Sequence, residues 1–213
     1  MKKFLKILLI IVVLIVAAVI IGMNSAKKMD ILDGSYSAIL PDSEEEAMSL
    51  MEYIEAYEEE IALADLTSLE YAKLAVFTDD GYYSFGYDVE GTKACVRQFL
   101  DRYFNALYLG RTTLNSAYGT TFDDMTWDEF SQFFAELYSA ENYDALLDSL
   151  ASGAYDYDGM EEPWETGTYS IRQGRIYCII EGETEEEFID YKLEGDALTL
   201  EYSDATQHFT RID

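Results

Sequence analysis

The chain has 213 residues, 42 of them acidic and 14 basic, for a formal net charge of −28. Such a polyanion repels phosphate backbones and argues against a nucleic-acid partner, while 49% apolar and 15% aromatic content argue against disorder. Five bases and no acid fall in the first 28 positions, leaving 9 bases against 42 acids, a net −33, in the 185 that follow.

From Phe4 to Met23 only Lys6 and Gly22 are not apolar, and no polar side chain interrupts the run from Ile7 to Ile21. At about 1.5 Å of rise per residue, this stretch is long enough for a hydrocarbon core of about 30 Å. In lipid its backbone must satisfy itself, as a helix. Residues 1–6 therefore read as a basic cytoplasmic tip, 7–23 as an uncleaved transmembrane anchor and 24–31 as a linker. A cleaved signal peptide is the alternative, disfavoured because the run is long and Asn24-Ser25-Ala26 is a poor cleavage site. Lys2, Lys3 and Lys6 precede the helix and Lys27 and Lys28 follow it, a small margin that puts the N-terminus in the cytoplasm. The expected location is the cell membrane, single-pass, with the lipid bilayer as one partner and residues 32–213 as the outer domain.

That domain opens with a strand at Ser35–Leu40. Ser43 and Glu46 form a capping-box pattern for a helix over about 44–64, with Ala47, Leu50, Met51, Ile54, Tyr57 and Ile61 on one face. The runs Tyr71–Phe77 and Tyr82–Tyr87 flank Asp80-Gly81, a hairpin signal. A helical insertion follows over about 91–152. Its first helix lines up Val96, Phe99, Leu100, Tyr103, Phe104 and Leu107, and a second capping box, Thr126 with Glu129, opens the next. A third runs through Tyr143, Leu146, Leu147 and Leu150. After Gly167 the period changes to two, with strands at Gly167–Arg172, Arg175–Glu181, Glu187–Leu193, Ala197–Tyr202 and Gln207–Ile212. Alternation such as Ile189, Tyr191, Leu193 gives an antiparallel meander with one wet face. The fold class expected is α+β, an antiparallel up-and-down β-barrel of about eight strands, or a curved sheet, with the helices inserted.

An internal echo links Gly34-Ser35-Tyr36-Ser37 to Gly167-Thr168-Tyr169-Ser170. The glycine-x-aromatic on the first strand and Arg211 at the end of the last resemble the pattern of the lipocalin (calycin) family. In that family the aromatic closes the barrel floor and the arginine packs across it. The matching positions are Gly34, Tyr36 and Arg211, with Tyr36 in place of the usual Trp. The domain is also similar in rhythm to lipocalin-like domains of membrane-tethered proteins of Gram-positive bacteria. The resemblance covers about 100 residues and implies a ligand-binding barrel.

Candidate chemistry is sparse. The single His208 falls on the last strand, and no glycine-rich loop precedes a Lys-Ser/Thr pair. Asp156, Asp158, Gly159, Glu162 and Glu165 match part of a calcium loop, yet Ala154 stands at its first position and Pro163 interrupts its end. Cys95 and Cys178 read as separate buried thiols, with a disulfide as the alternative. The acidic runs at 44–46, 58–60 and 185–187 read mostly as solvated faces. No catalytic residue, metal ligand or cofactor is assigned. Tyr36, Tyr83, Phe85 and Tyr169 are the candidate ligand-lining residues, since such rings offer an apolar body and, in Tyr, a polar tip. The function expected is a non-enzymatic, membrane-anchored domain binding a small apolar ligand or an envelope partner. A purely structural module docking through its helical insertion is the alternative, and an enzyme acting on envelope glycans comes third.

Overall fold

The computed structural model describes residues 32–112, 114, 122–203 and 205–212. The expected tip, anchor and linker lie outside these residues. Among the described residues, no helix is long and apolar enough to cross a membrane.

Eight antiparallel strands close into a barrel in chain order. They are β1 (Gly34–Pro41), β2 (Glu70–Phe77), β3 (Tyr82–Tyr87), β4 (Glu165–Arg172), β5 (Arg175–Ile180), β6 (Glu187–Glu194), β7 (Ala197–Glu201) and β8 (Thr206–Arg211). Closure comes from the short pairing of Tyr36 with Arg211 and Ser37 with Thr210. It leaves no edge strand to recruit another chain. The open curved sheet, the alternative from sequence, is not what forms.

The two ends of the barrel differ. At one end the connections are tight: residues 78–81, Gln173-Gly174 and Gly195-Asp196. Gln173 (φ 55°) and Gly174 (φ 77°) both take the left-handed conformation that a two-residue hairpin needs. At the other end sit every helix of the described chain: α1 (Glu44–Tyr53), α2 (Glu58–Ile61), α3 (Val89–Leu109), α4 (Trp127–Leu137), α5 (Tyr143–Gly153) and α6 (Tyr157–Met160), with a 3-10 turn at Leu66–Ser68.

The single helix expected over 44–64 is two pieces. Ile54 closes α1, and Glu55 at φ 56° folds the chain back, with the Ala56 amide donating to the Met51 carbonyl at 3.0 Å. The reversal turns one member of the acidic run inward. Glu60 is 2% exposed, its Oε2 accepting from the Tyr57 amide at 2.9 Å.

Packing follows two separate apolar clusters, one among the helices and one inside the barrel. They meet where α3 lies on β2. The Asp88 amide donates to the Ala72 carbonyl at 2.9 Å, and the Ala72 amide donates to the Thr92 hydroxyl at 3.1 Å. Gly91 makes this approach possible, since a Cβ there would meet the Ala72 methyl at 2.7 Å.

Candidate functional site

Alternation along the strands decides which side chains face the barrel interior. Tyr36, Ala75, Phe85 and Glu165 are linked partner by partner across β1 to β4, and Tyr83, Gly167 and Ile180 form a parallel row. Lys73 shares the phase of Ala75 and Phe77, and so points inward as well.

The tight-turn end is sealed by aromatic rings. Phe77 stands edge-on to Tyr36 (centroids 6.4 Å apart) and to Tyr169 (5.2 Å), so the two tyrosines of the internal echo meet on one phenylalanine. The Tyr169 hydroxyl lies against the carbonyls of Leu32 and Thr78, the latter at 2.9 Å, which ties the chain entering β1 to the β2–β3 turn. Burial raises the Tyr169 pKa to about 12 and keeps this donor protonated. The Arg211 guanidinium sits 5.9 Å from the Tyr36 ring centroid, within cation–π range.

The opposite end is open. A cavity of about 650 Å³ is lined by Phe85, Cys178, Ile189 and Tyr202 on its apolar side and carries Glu165, Glu186, Glu187, Asp190 and Glu201. It exists because the β6–β7 ladder starts only at Asp190 with Glu201. Before that point Glu187 to Ile189 are held by β5 alone, because β7 ends at Glu201 and β6 overhangs it. Two of the acids are engaged at the surface: Glu186 with Arg172, and Asp190 with Arg175 at 2.6 Å. Glu165 reaches inward, accepting from the Tyr83 hydroxyl at 2.8 Å. That bond and burial together push the Tyr83 pKa upward, burial being the larger cause.

Beside this cavity a lone ammonium is enclosed by rings. Lys73 Nζ lies 5.3 Å from the Trp164 centroid, 5.5 Å from Phe85 and 5.7 Å from Tyr202, and donates to Gln207 Oε1 at 3.1 Å. Burial lowers its pKa, partly offset by the Glu165 charge. The Tyr202 hydroxyl is buried with no hydrogen-bond partner among the described residues.

The four residues singled out from sequence all belong to the barrel wall, but they divide. Tyr36 and Tyr169 build the sealed end, Tyr83 holds Glu165, and Phe85 is the one that lines the cavity. Lys73, Glu165, Tyr202 and Gln207 were not singled out as ligand-lining residues. The signal that finds them is the phase of the alternation, which puts each polar side chain in step with buried neighbours.

Other candidates settle elsewhere. His208 is exposed on β8, its Nδ1 3.2 Å from Thr199 Oγ1. Cys95 and Cys178 are both free and buried. Burial raises the Cys178 thiol to about 12 and also pushes Cys95 upward, the reverse of what a nucleophile needs. Of the calcium-loop residues, Glu165 is on β4 inside the barrel, whereas Asp158 and Gly159 lie on α6. Among the described residues, no group of three or more His, Cys, Asp or Glu could hold a metal ion.

No family model, curated protein or solved structure matches the chain.

Proposed function

We propose that the domain is a binding module whose barrel takes up a small molecule with an apolar body through the open mouth, without chemical conversion. The observation that carries this is the cavity of about 650 Å³, which falls in the range of small-molecule pockets and combines an apolar floor with a few polar groups. One end of the barrel is packed with rings and the other opens where β6 overhangs the end of β7, so the interior has an entrance and a stop. In this reading the barrel is lipocalin-like, with Gly34, Tyr36 and Arg211 forming the floor. An anchor at 7–23 would hold the module at the outer face of a membrane.

Among the described residues, 32–212 contain both apolar clusters and the closed barrel, so the fragment 32–213 is the one to examine. N-phenyl-1-naphthylamine, a neutral apolar fluorophore, is titrated into it. The expected result is saturable enhancement, at least ten-fold weaker in Cys178→Phe, which puts a ring into the cavity, and weaker in Ser203→Phe at its rim. Far-UV circular dichroism checks that both variants fold. Equal binding by the wild type and both variants, or none by any of them, sinks the proposal and leaves protein docking through the helical insertion as the better account.

A further inference from the structure

We infer that the barrel carries a second binding site, a groove on its outer wall that takes a neutral saccharide. Two neighbouring rows of side chains form the groove floor. Val76, Ser84 and Thr166 are paired across β2, β3 and β4, and Tyr82, Thr168 and Ile179 across β3, β4 and β5. Both rows are out of phase with the buried Tyr83 and Phe85, and therefore face outward. Residues 181–183, which follow β5, are fixed against this floor. The Glu181 amide donates to the Thr166 carbonyl at 2.8 Å, and the Thr166 hydroxyl donates to Glu181 Oε2 at 2.7 Å. Gly182, at φ 89°, then turns the chain so that the Glu183 amide donates to the Ile180 carbonyl at 2.9 Å. The cavity so formed is about 510 Å³, a size typical of small-molecule sites, and Ile180 is the one lining residue it shares with the barrel interior.

The lining decides the class of ligand, because it alternates apolar and hydroxyl surface. Tyr82 is 57% exposed and offers its ring, Val76 and Ile179 add aliphatic area, and each Thr gives a methyl beside its hydroxyl. The hydroxyls of Tyr82, Ser84 and Thr168 have no hydrogen-bond partner among the described residues. A wholly apolar ligand would take water from those hydroxyls and put nothing in its place. An anion would find no counter-charge, since no Lys or Arg lines the groove. A cation would find its only counter-charges, Glu181 and Glu183, on an exposed loop where water and salt screen them. A pyranose meets every requirement. Its C–H face covers the Tyr82 ring and the methyls, its hydroxyls reach Ser84 and Thr168, and the loop carboxylates accept from hydroxyls at the edge.

Saturation-transfer NMR on the full chain, kept in a detergent without a sugar head, tests this. Maltotriose and N,N′,N″-triacetylchitotriose, both neutral, are titrated beside trigalacturonate, an anionic trisaccharide. Saturable transfer to at least one neutral trisaccharide is expected, with trigalacturonate about ten-fold weaker or silent. Tyr82→Ala should weaken the neutral ligand about ten-fold, Tyr82→Trp should keep it because the ring remains, and Ser84→Ala should weaken it several-fold. Cys178→Phe, which fills the barrel interior, should leave saccharide binding unchanged. No transfer to either neutral trisaccharide, binding that survives Tyr82→Ala, or trigalacturonate bound as well as the neutral probes overturns the inference. Far-UV circular dichroism checks the variants, and Ser84→Ala carries the test if Tyr82→Ala does not fold. Tyr82→Ala should also leave the N-phenyl-1-naphthylamine titration unchanged, so this inference and the interior-ligand reading can each fail without the other.

Discussion

Lys73 carries the main electrostatic tension of the barrel. An ammonium packed among Phe85, Trp164 and Tyr202 loses hydration that one hydrogen bond to Gln207 and the Glu165 charge replace only in part. Its pKa is lowered on folding, so between that value and 10.5 the unfolded chain binds more protons than the folded one. Stability contributed by this residue therefore rises with pH through that window. Lys73→Met keeps the apolar stem, removes the charge and leaves Gln207 without its donor. It is expected to raise stability at pH 7 by about 1 kcal/mol, the gain from discarding a buried charge outweighing the unpaired amide. It should also flatten the pH dependence in the window, and urea unfolding at a series of pH values measures both. Cys178 works in the opposite sense: its raised pKa keeps the thiol protonated, so its contribution is lost as pH climbs from 9 toward about 12. At this scale the sequence was partly legible. Phe85 and Tyr83 stand out as inward-facing rings, but Lys73 and Glu165 look like ordinary strand-edge charges until the alternation of β2 and β4 is phased.

Local rules predict elements well where the signal is itself local. Thr126 and Glu129 form the reciprocal capping box read from their spacing. The Glu129 amide donates to Thr126 Oγ1 at 3.3 Å, and the Thr126 amide donates to Glu129 Oε2 at 2.8 Å. Those bonds from Thr126 lower the Glu129 pKa, the backbone one contributing most. Thr126→Ala should cost about 1 kcal/mol, seen as a lower melting temperature that Thr126→Ser largely restores. The Ser43 cap is half of what its pattern promised. The Glu46 amide donates to Ser43 Oγ, but the Ser43 amide is taken by Asp42 Oδ1 at 2.8 Å rather than by Glu46. Two neighbouring carboxylates competed for one donor, and the nearer in sequence won. On α3 every residue assigned to the apolar face is buried, because a 21-residue helix averages out local exceptions. The reading of 44–64 failed for the converse reason. An apolar stripe continues through Ile54 and Ile61, but a left-handed residue between them is invisible to periodicity.

The molecule as a whole has two cores joined by one helix; one Trp packs against the helical core, and the other, 47% exposed, stands at the barrel mouth. Trp127 packs on Tyr108, Phe130 and Tyr143 in the helical block, and Trp164 on Tyr87 at the barrel mouth. Phe134 sits at the centre of the helical cluster, 1% exposed and in contact with Phe104, Phe122, Phe130 and Phe133. Phe134→Ala should therefore cost that cluster about 3–5 kcal/mol. Placed in Trp164→Phe and Trp127→Phe backgrounds, it is expected to shift the Trp127 unfolding transition further than the Trp164 transition. Coincident transitions would mean that the α3–β2 contact couples the cores into one cooperative unit.

What the sequence determined by itself is the menu of elements. Hairpin turns, helix caps and the change of period after Gly167 depend on residues a few positions apart, whose interactions form wherever the rest of the chain lies. Chain-order pairing of the last five strands follows from the same local turns. Closure, the floor and the portal depend on contacts that no short window contains. Tyr36 meets Arg211 only when β8 comes round to β1, and Lys73 finds Gln207 across 134 positions. The curvature of eight paired strands decides which ends converge and where the overhang of β6 past β7 comes to lie. That geometry turns scattered acids into a rim around an apolar opening, because only tertiary packing brings Glu187 and Glu201 to the same mouth.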